Sequence, residues 1–171
     1  STGGNLIKTA INSQYILKIS NYSCFEGITG HECVNEIIVD RLLNILGVEH
    51  LSYSLVHADV KIDENIYDTY ISASEDFKND NETKIALNKF YRLEKNDKEN
   101  PLEFCIRMGF GPYIYEMMAV DFIICNRDRH GANIEVLRNS KNKTIRLAPL
   151  FDHGMSLLFS CGDDNSIENF D

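Results

Sequence analysis

A chain of 171 residues with 43% hydrophobic side chains can bury a sizeable core as one domain or two small lobes. Its net charge is −9, with basic residues clustered only at Arg127-Asp-Arg129 and in the Lys141/Lys143 turn, so it is not built to wrap nucleic acid directly. Five cysteines in no framework spacing and no visible signal peptide read as reduced thiols of a cytoplasmic chain, and no apolar run is long enough to span a bilayer.

Ser1-Thr-Gly-Gly-Asn-Leu-Ile-Lys8-Thr-Ala10 opens the chain. Gly3 and Gly4 beside small hydroxyl residues suit a loop whose backbone N–H groups approach phosphate, with a plain flexible terminus as the competing reading. Gln14 to Ile19 reads as a strand that embeds Lys18. Thr29-Gly-His-Glu32 then spells a capping box. Val34, Ile37, Ile38, Leu42, Ile45 and Leu46 follow at helical spacing as the apolar stripe, and Gly47 is the expected stop. Glu36 lies at the edge of that stripe. It also belongs to an i+4 row with Glu32 and Asp40 that reads equally as a solvated acidic face.

Leu51 to Val60 and Ile66 to Ser72 look like strands completing a small sheet. Ser72 to Phe77 fits a crossing between lobes, where an adenine ring would sit, or an ordinary loop. Asn81 to Lys95 reads as an exposed helix anchored by Ile85, Leu87, Phe90, Tyr91 and Leu93, and Asn96 to Pro101 as a charged loop. Pro112 opens a helix with almost no polar face, the pattern of an element buried at a domain centre. That helix delivers Asn126 directly.

Asn126-Arg-Asp-Arg-His-Gly-Ala-Asn133 comes next. Ile134 to Leu137, a polar turn over Arg138 to Lys143, and Thr144 to Leu147 form a hairpin that leads to Phe151-Asp-His-Gly154. Phosphoryl transfer to a hydroxyl needs a carboxylate to orient the attacking oxygen, and an amide plus a second carboxylate to hold Mg²⁺ on nucleotide phosphates. Asp128, Asn133 and Asp152 supply that set, and Asp-x-x-x-x-Asn is the spacing of a kinase catalytic loop. A surface hairpin whose Asn and Asp residues only cap turns is the bland alternative for any one of them. A strand lysine that holds phosphates and pairs with a helix glutamate completes such a site. Lys18 and Glu36 are the candidates, with Lys8 competing for the phosphate role and a snorkelling strand-end lysine as the plain reading of Lys18. No His or Cys spacing matches a zinc site.

Together these segments resemble the HipA-type serine/threonine kinases, a bacterial toxin-kinase family. The resemblance is carried by Ser1-x-Gly-Gly-x-x-x-Lys8-Thr-Ala10, Ile16-Leu-Lys18, Asn35-Glu36 leading to Leu46-Gly47, Asn126-x-Asp128-x-His130-x-x-Asn133 and Ala148-Pro-Leu-Phe-Asp152. It implies an α+β, bilobal protein-kinase-like fold, with a small β-rich N-lobe at residues 1–72 holding one helix and a mainly helical C-lobe at 73–171. Further family sequence is expected before residue 1 and after residue 171, as in a fragment, a minimal kinase or one half of a split protein.

The implied activity is ATP- and Mg²⁺-dependent transfer to protein Ser/Thr hydroxyls. Asp128 would be the base, and His130 would order the catalytic loop. Asn133 and Asp152 would be the Mg²⁺ ligands, and Gly3, Gly4, Lys8 and Lys18 would hold the nucleotide. Ser1 is the autophosphorylation candidate. An antitoxin or complementary chain is the implied partner. A small-molecule phosphotransferase of the same fold and a catalytically silent nucleotide-binding module are the alternatives.

Overall fold

The computed structural model describes residues 8–11, 15–159, 161 and 163–169, with side chains from residue 15 onward. Ser1, Gly3, Gly4 and the side chain of Lys8 lie outside the described residues. The chain divides into two compact units, residues 1–76 with 152–171, and residues 77–151. By packing, residues 152–171 therefore group with the first unit. Among the described residues no helix is long and apolar enough to cross a membrane.

The first unit is built on an antiparallel sheet of β1 (Lys8–Ile11), β2 (Tyr15–Ile19), β6 (Asn65–Glu75) and β5 (Tyr53–Ile62), in the order β1-β2-β6-β5. β5 and β6 are one long hairpin, so both expected strands form, β5 shifted two residues along and β6 longer at both ends than the sequence pattern suggests. Ile19, Ile62 and Ile71 form its buried cluster, with Leu17, Tyr22, Val60 and Tyr67 against it. A two-stranded ribbon, β3 (Tyr22–Ser23) with β4 (Gly27–Ile28), follows β2.

Helix α1 (Glu32–Leu46) differs from its sequence pattern in two ways. Its N-cap is His31, without a side-chain cap, so the capping box expected from Thr29 does not form. Glu32 is already the first helical residue, and its carboxylate accepts from the Asn21 N–H instead (3.0 Å). The orphan N–H of Cys33 goes to the Ser20 hydroxyl (3.1 Å). The second difference is the buried face. It carries Cys33, Asn35, Glu36, Val39, Asp40 and Leu43, while Val34, Ile38, Ile45 and Leu46 are exposed, Ile45 at 82%. The acidic row is thus buried, and the reason is that each acid meets a donor. Asp40 accepts from the Tyr53 N–H (3.0 Å) and lies 3.2 Å from the His50 ring, and Glu36 is treated below. The C-terminus follows its pattern. Gly47 is left-handed (φ 69°), and the Gly47 and Val48 N–H groups close on Asn44 and Leu43 carbonyls in a Schellman arrangement.

In the second unit, residues 81–95 are not a single helix. Glu82–Ala86 is a strand, β7, and only Leu87–Glu94 is helical, α2. β7 pairs along its length with β8 (Glu135–Asn139), which pairs with β9 (Ile145–Leu147) in the expected hairpin. A partner strand distant in sequence overrides local helical spacing here. The charged loop ends at Asn100, which caps α3 (Pro101–Arg107) in a capping box with Glu103, a short helix the sequence reading lacks. α4 (Gly111–Ile123) has its proline in the first turn as expected, but it is not buried all round. Ile114, Met117, Val120 and Asp121 face inward, whereas Tyr115, Met118, Ile123 and Phe122 (86%) are exposed. α3 packs on one side of α4 only; among the described residues the other side is open. A short helix, α5 (Asp164–Glu168), lies near the end of the chain.

The β7–β8–β9 sheet is tied by a bidentate pair, Arg146 to Glu82 (2.8 and 2.8 Å), with Arg146 also donating to the Phe77 carbonyl (2.9 Å). Hydrogen bonds from Arg146 first, and then the Asn79 N–H, hold the Glu82 carboxyl below its ordinary 4.5. A depressed carboxyl pKa gives stability that is full above the unfolded-state value and is lost as pH falls through the folded one. Thermal unfolding should therefore lose stability as pH falls below about 4.5, the ordinary carboxyl value. Glu82→Gln should have a lower melting temperature at neutral pH and a shallower acid decline. An acid decline identical to that of the unmutated chain would contradict this.

Candidate functional site

β2, α1 and the segment after Phe151 bring three charges together in the first unit. Lys18 Nζ lies 2.9 Å from Asp152 Oδ1 and 3.4 Å from Glu36 Oε1. The side chains of Lys18 and Glu36 are 9% and 3% exposed, and that of Asp152 is 23% exposed. Burial on its own would lower the Lys18 pKa, but Glu36 and then Asp152 outweigh it and hold the ammonium above its usual value. The Glu36 carboxyl is pushed up, first by burial, against the pull of Lys18. One cation between two carboxylates leaves the cluster with an excess negative charge.

The backbone after Asp152 is fastened to α1. The His153 N–H donates to Glu36 Oε2 (3.1 Å), and Asn35 Nδ2 donates to the carbonyls of Gly154 (3.0 Å) and Ser156 (2.9 Å). The Asp152 N–H reaches the Tyr53 hydroxyl (3.3 Å). Asp152 itself sits at φ 65°, a left-handed conformation that surrounding contacts must hold. Gly154 is needed for close approach, because a Cβ there would come within 2.9 Å of Glu32 Cβ and 3.3 Å of the Glu32 carbonyl. Glu36 thus holds both the lysine and the backbone beside Asp152.

The second unit carries Asp128 and Asn133. The loop leaves α4 through Cys125, at φ 53°. Asn126 Oδ1 accepts from the Asp128 N–H (3.1 Å), an Asx turn. Asn133 Nδ2 donates to the Asp128 carbonyl (3.0 Å) and lies 3.4 Å from Asp128 Oδ2. The Asn133 N–H closes on the His130 carbonyl (2.8 Å), and the His130 side chain is exposed. Asp128 is exposed too.

Arg129, inside the motif, anchors the loop. It makes a bidentate pair with Asp121 on α4 (2.9 and 3.1 Å) and donates to the Phe151 carbonyl (2.8 Å). Asn126 Nδ2 donates to the same carboxylate (2.8 Å). α2 holds the other side, with the Leu87 and Asn88 N–H groups donating to the carbonyls of Ile134 (2.8 Å) and Gly131 (3.0 Å). Gly131 admits that contact, since a Cβ there would lie 2.9 Å from Asn88 Cβ. The sequence pattern assigns no role to Asp121, and holds Arg129, Asn35 and Gly154 within motifs without the anchoring roles they take here. One signal was present: an aspartate on the inner face of an apolar helix requires a partner, and Arg129 is a cation in the loop that follows, eight residues on.

Lys18, Glu36 and Asp152 therefore meet in one unit, and Asp128 and Asn133 meet in the other. Lys8 stands opposite Lys18 in the β1–β2 register. Among the described residues no group of three His, Cys, Asp or Glu side chains is arranged to hold a metal.

No family model matches the chain. A search of solved structures gives the crystal structure of the Helicobacter pylori proinflammatory kinase CtkA, with a TM-score of 0.62 and 19% identity over 96% of this chain. The chain has a protein-kinase-like fold. Among curated proteins it is 26% identical over 150 residues to the serine/threonine-protein kinase CtkA of H. pylori strain J99, covering 77% of this chain. It is thus related, at low identity, to a serine/threonine kinase. The chain spans 42% of that protein's length and 59% of the solved chain.

The Asp121–Arg129 pair yields a stability test on this kinase-like chain. Removing one partner of a buried pair leaves an uncompensated charge, at a cost of about 3 kcal/mol. Asp121→Ala should show that loss in urea unfolding. Asp121→Ala combined with Arg129→Met, which removes the stranded charge, should recover part of it. A double variant less stable than the single one would refute the account.

Proposed function

We propose that this chain is the nucleotide-handling and catalytic part of a HipA-type serine/threonine protein kinase, transferring phosphate from ATP to protein hydroxyls with Mg²⁺. The observation that carries the reading is the buried Lys18–Glu36 pair closed by Asp152, in a chain whose exposed loop carries Asp128 hydrogen-bonded to Asn133. The low-identity relationship to a serine/threonine kinase supports a protein acceptor over a small-molecule one. The HipA assignment rests on the motifs around Lys8, Lys18, Asp128 and Asp152. None of the five cysteines is in a disulfide, which suits a reducing, cytoplasmic setting.

The residues divide the work by chemistry. Lys18, kept charged by its carboxylate neighbours, would hold nucleotide phosphates, and Glu36 would fix the lysine's position. Asp152 and Asn133 would hold the metal. Bound Mg²⁺ would supply neutralisation of the charge on the phosphates. Asp128 would orient the acceptor hydroxyl and take its proton. The Arg129–Asp121 pair and the α2 N–H groups hold that loop in shape. Positioning of this kind is the larger part of phosphoryl-transfer catalysis.

Incubation with labelled ATP and Mg²⁺, followed by mass spectrometry of the chain and of a lysate, tests the proposal. Asp128→Asn should keep ATP binding and lose about 10²–10⁴-fold in transfer. Asp152→Ala should remove most of the Mg²⁺ dependence of nucleotide binding. Near-wild-type turnover in Asp128→Asn, or ATP affinity indifferent to Mg²⁺ in the unmutated chain, would sink the reading.

A further inference from the structure

The β7–β8–β9 sheet has a concavity of about 270 Å³ on one face, between the strands and the β8–β9 turn. Thr83, Arg138 and Ile145 stand in one cross-strand row at its floor, as the strand register requires. Ile85 extends the apolar floor, and Lys143 rises from the turn. No carboxylate lines it, although the chain has 26 acidic residues against 17 basic ones. Among the described residues neither the Arg138 guanidinium nor the Lys143 ammonium has a carboxylate partner. Glu82, beside Thr83 on β7, is paired with Arg146. Two unpaired cations over an apolar floor, in an acidic protein, select an anion.

The turn is built before any ligand arrives. Asn139 Oδ1 accepts from the Lys141 N–H (2.9 Å) and the Asn142 N–H (3.2 Å). Asn142 Oδ1 accepts from the Thr144 N–H (3.0 Å) and hydroxyl (2.7 Å). The Ser140 N–H is tied to the Asn81 carbonyl (2.9 Å), which fixes the turn to the start of β7. A preformed turn lowers the ordering cost of binding. The volume falls below the roughly 300–1,000 Å³ typical of small-molecule and cofactor sites, so it suits side chains of a longer ligand and not a nucleotide. Its place in the chain also matters. β8 starts two residues after Asn133, and β9 leads through Ala148–Phe151 to Asp152.

We propose that this concavity is a docking site for an acidic segment of the polypeptide acceptor. A Glu or Asp carboxylate would lie between Arg138 and Lys143, and a neighbouring apolar side chain would cover Ile85 and Ile145. The proposal deepens the protein-kinase reading and rests on it for the identity of the ligand as an acceptor. The site itself is testable without turnover. The probe is a fluorescein-labelled peptide alternating Glu and Leu, followed by anisotropy at low salt, beside its Lys/Leu counterpart and a single-stranded oligonucleotide.

The Glu/Leu peptide should bind, weaken as salt is raised, and lose about tenfold or more in affinity to Arg138→Glu/Lys143→Glu. Arg138→Ala/Lys143→Ala gives the same test, with a smaller loss, should the charge reversal disturb the fold. Circular dichroism checks both variants. Equal affinity for wild type and variants, equal binding of the Lys/Leu peptide, or preference for the oligonucleotide would overturn the proposal. Neither residue touches the proposed reacting groups. The double variant should therefore keep kcat on a short acceptor without acids and show a raised KM on one fused to an acidic stretch. Absent peptide binding with intact transfer strikes the docking site alone. Peptide binding without any transfer leaves the site standing and removes the kinase reading.

Discussion

The first unit is organised by one buried ammonium. Lys18 has lost nearly all contact with water, and taking an ion out of water costs several kcal/mol even after relaxation. Two carboxylates must therefore be brought to it. Glu36 comes from α1 and Asp152 from the far end of the chain sequence, and the Glu36 carboxylate also receives the His153 N–H. The rotation of α1 about its axis follows. Burying Val34, Ile38, Ile45 and Leu46 would have gained about 1.5–3 kcal/mol for each fully buried side chain. The helix instead turns Glu32, Asn35, Glu36 and Asp40 inward. A buried acid with donors is tolerable, but a buried lysine without an acid is not.

The second unit repeats the logic with the signs exchanged. There a buried acid, Asp121, sits on a helix and calls for a cation, and the cation is a residue of the Asp128-to-Asn133 loop itself. Arg129 spends its remaining donors on backbone carbonyls, so loop shape is encoded in one side chain. α2 contributes the N–H groups that a helix start leaves unpaired, and the loop carbonyls use them. Both units thus use a buried charged pair for positioning, and the half-buried Asp152 and exposed Asp128 beside these pairs are the residues with chemistry to perform under the proposed function.

What the sequence made legible was local. The Asp128–Asn133 spacing, the β8–β9 hairpin, the strand holding Lys18 and the Gly47 stop all depend on residues a few positions apart, and each is formed. What it hid depends on distant partners. β7 reads as the start of a helix because the apolar anchors Leu87, Phe90 and Tyr91 follow it, and only β8, some fifty residues away, makes Glu82–Ala86 extended. Thr29 and Glu32 have capping-box spacing, yet Asn21 claims the carboxylate. The apolar stripe of α1 is present as its periodicity says, but periodicity cannot say whether burial or charge pairing chooses the inward face. α4 shows the same blindness, since its composition demands cover on all sides and its neighbours cover one.

The charge balance around Lys18 also orders the partners by availability. Glu36 is sealed, holds two donors at once and cannot leave without stranding the His153 N–H and the lysine together. Asp152 is the more exposed partner, on a strained left-handed backbone, and shares the lysine at the shorter distance. A hard cation entering from solvent would therefore meet Asp152 before Glu36. As Asp152 turned to such a cation, Lys18 would keep Glu36 and regain a free direction for an anion. The same three side chains that stabilise the unit without ligand are, under the proposed function, arranged to trade one internal ion pair for a cation and a phosphate together.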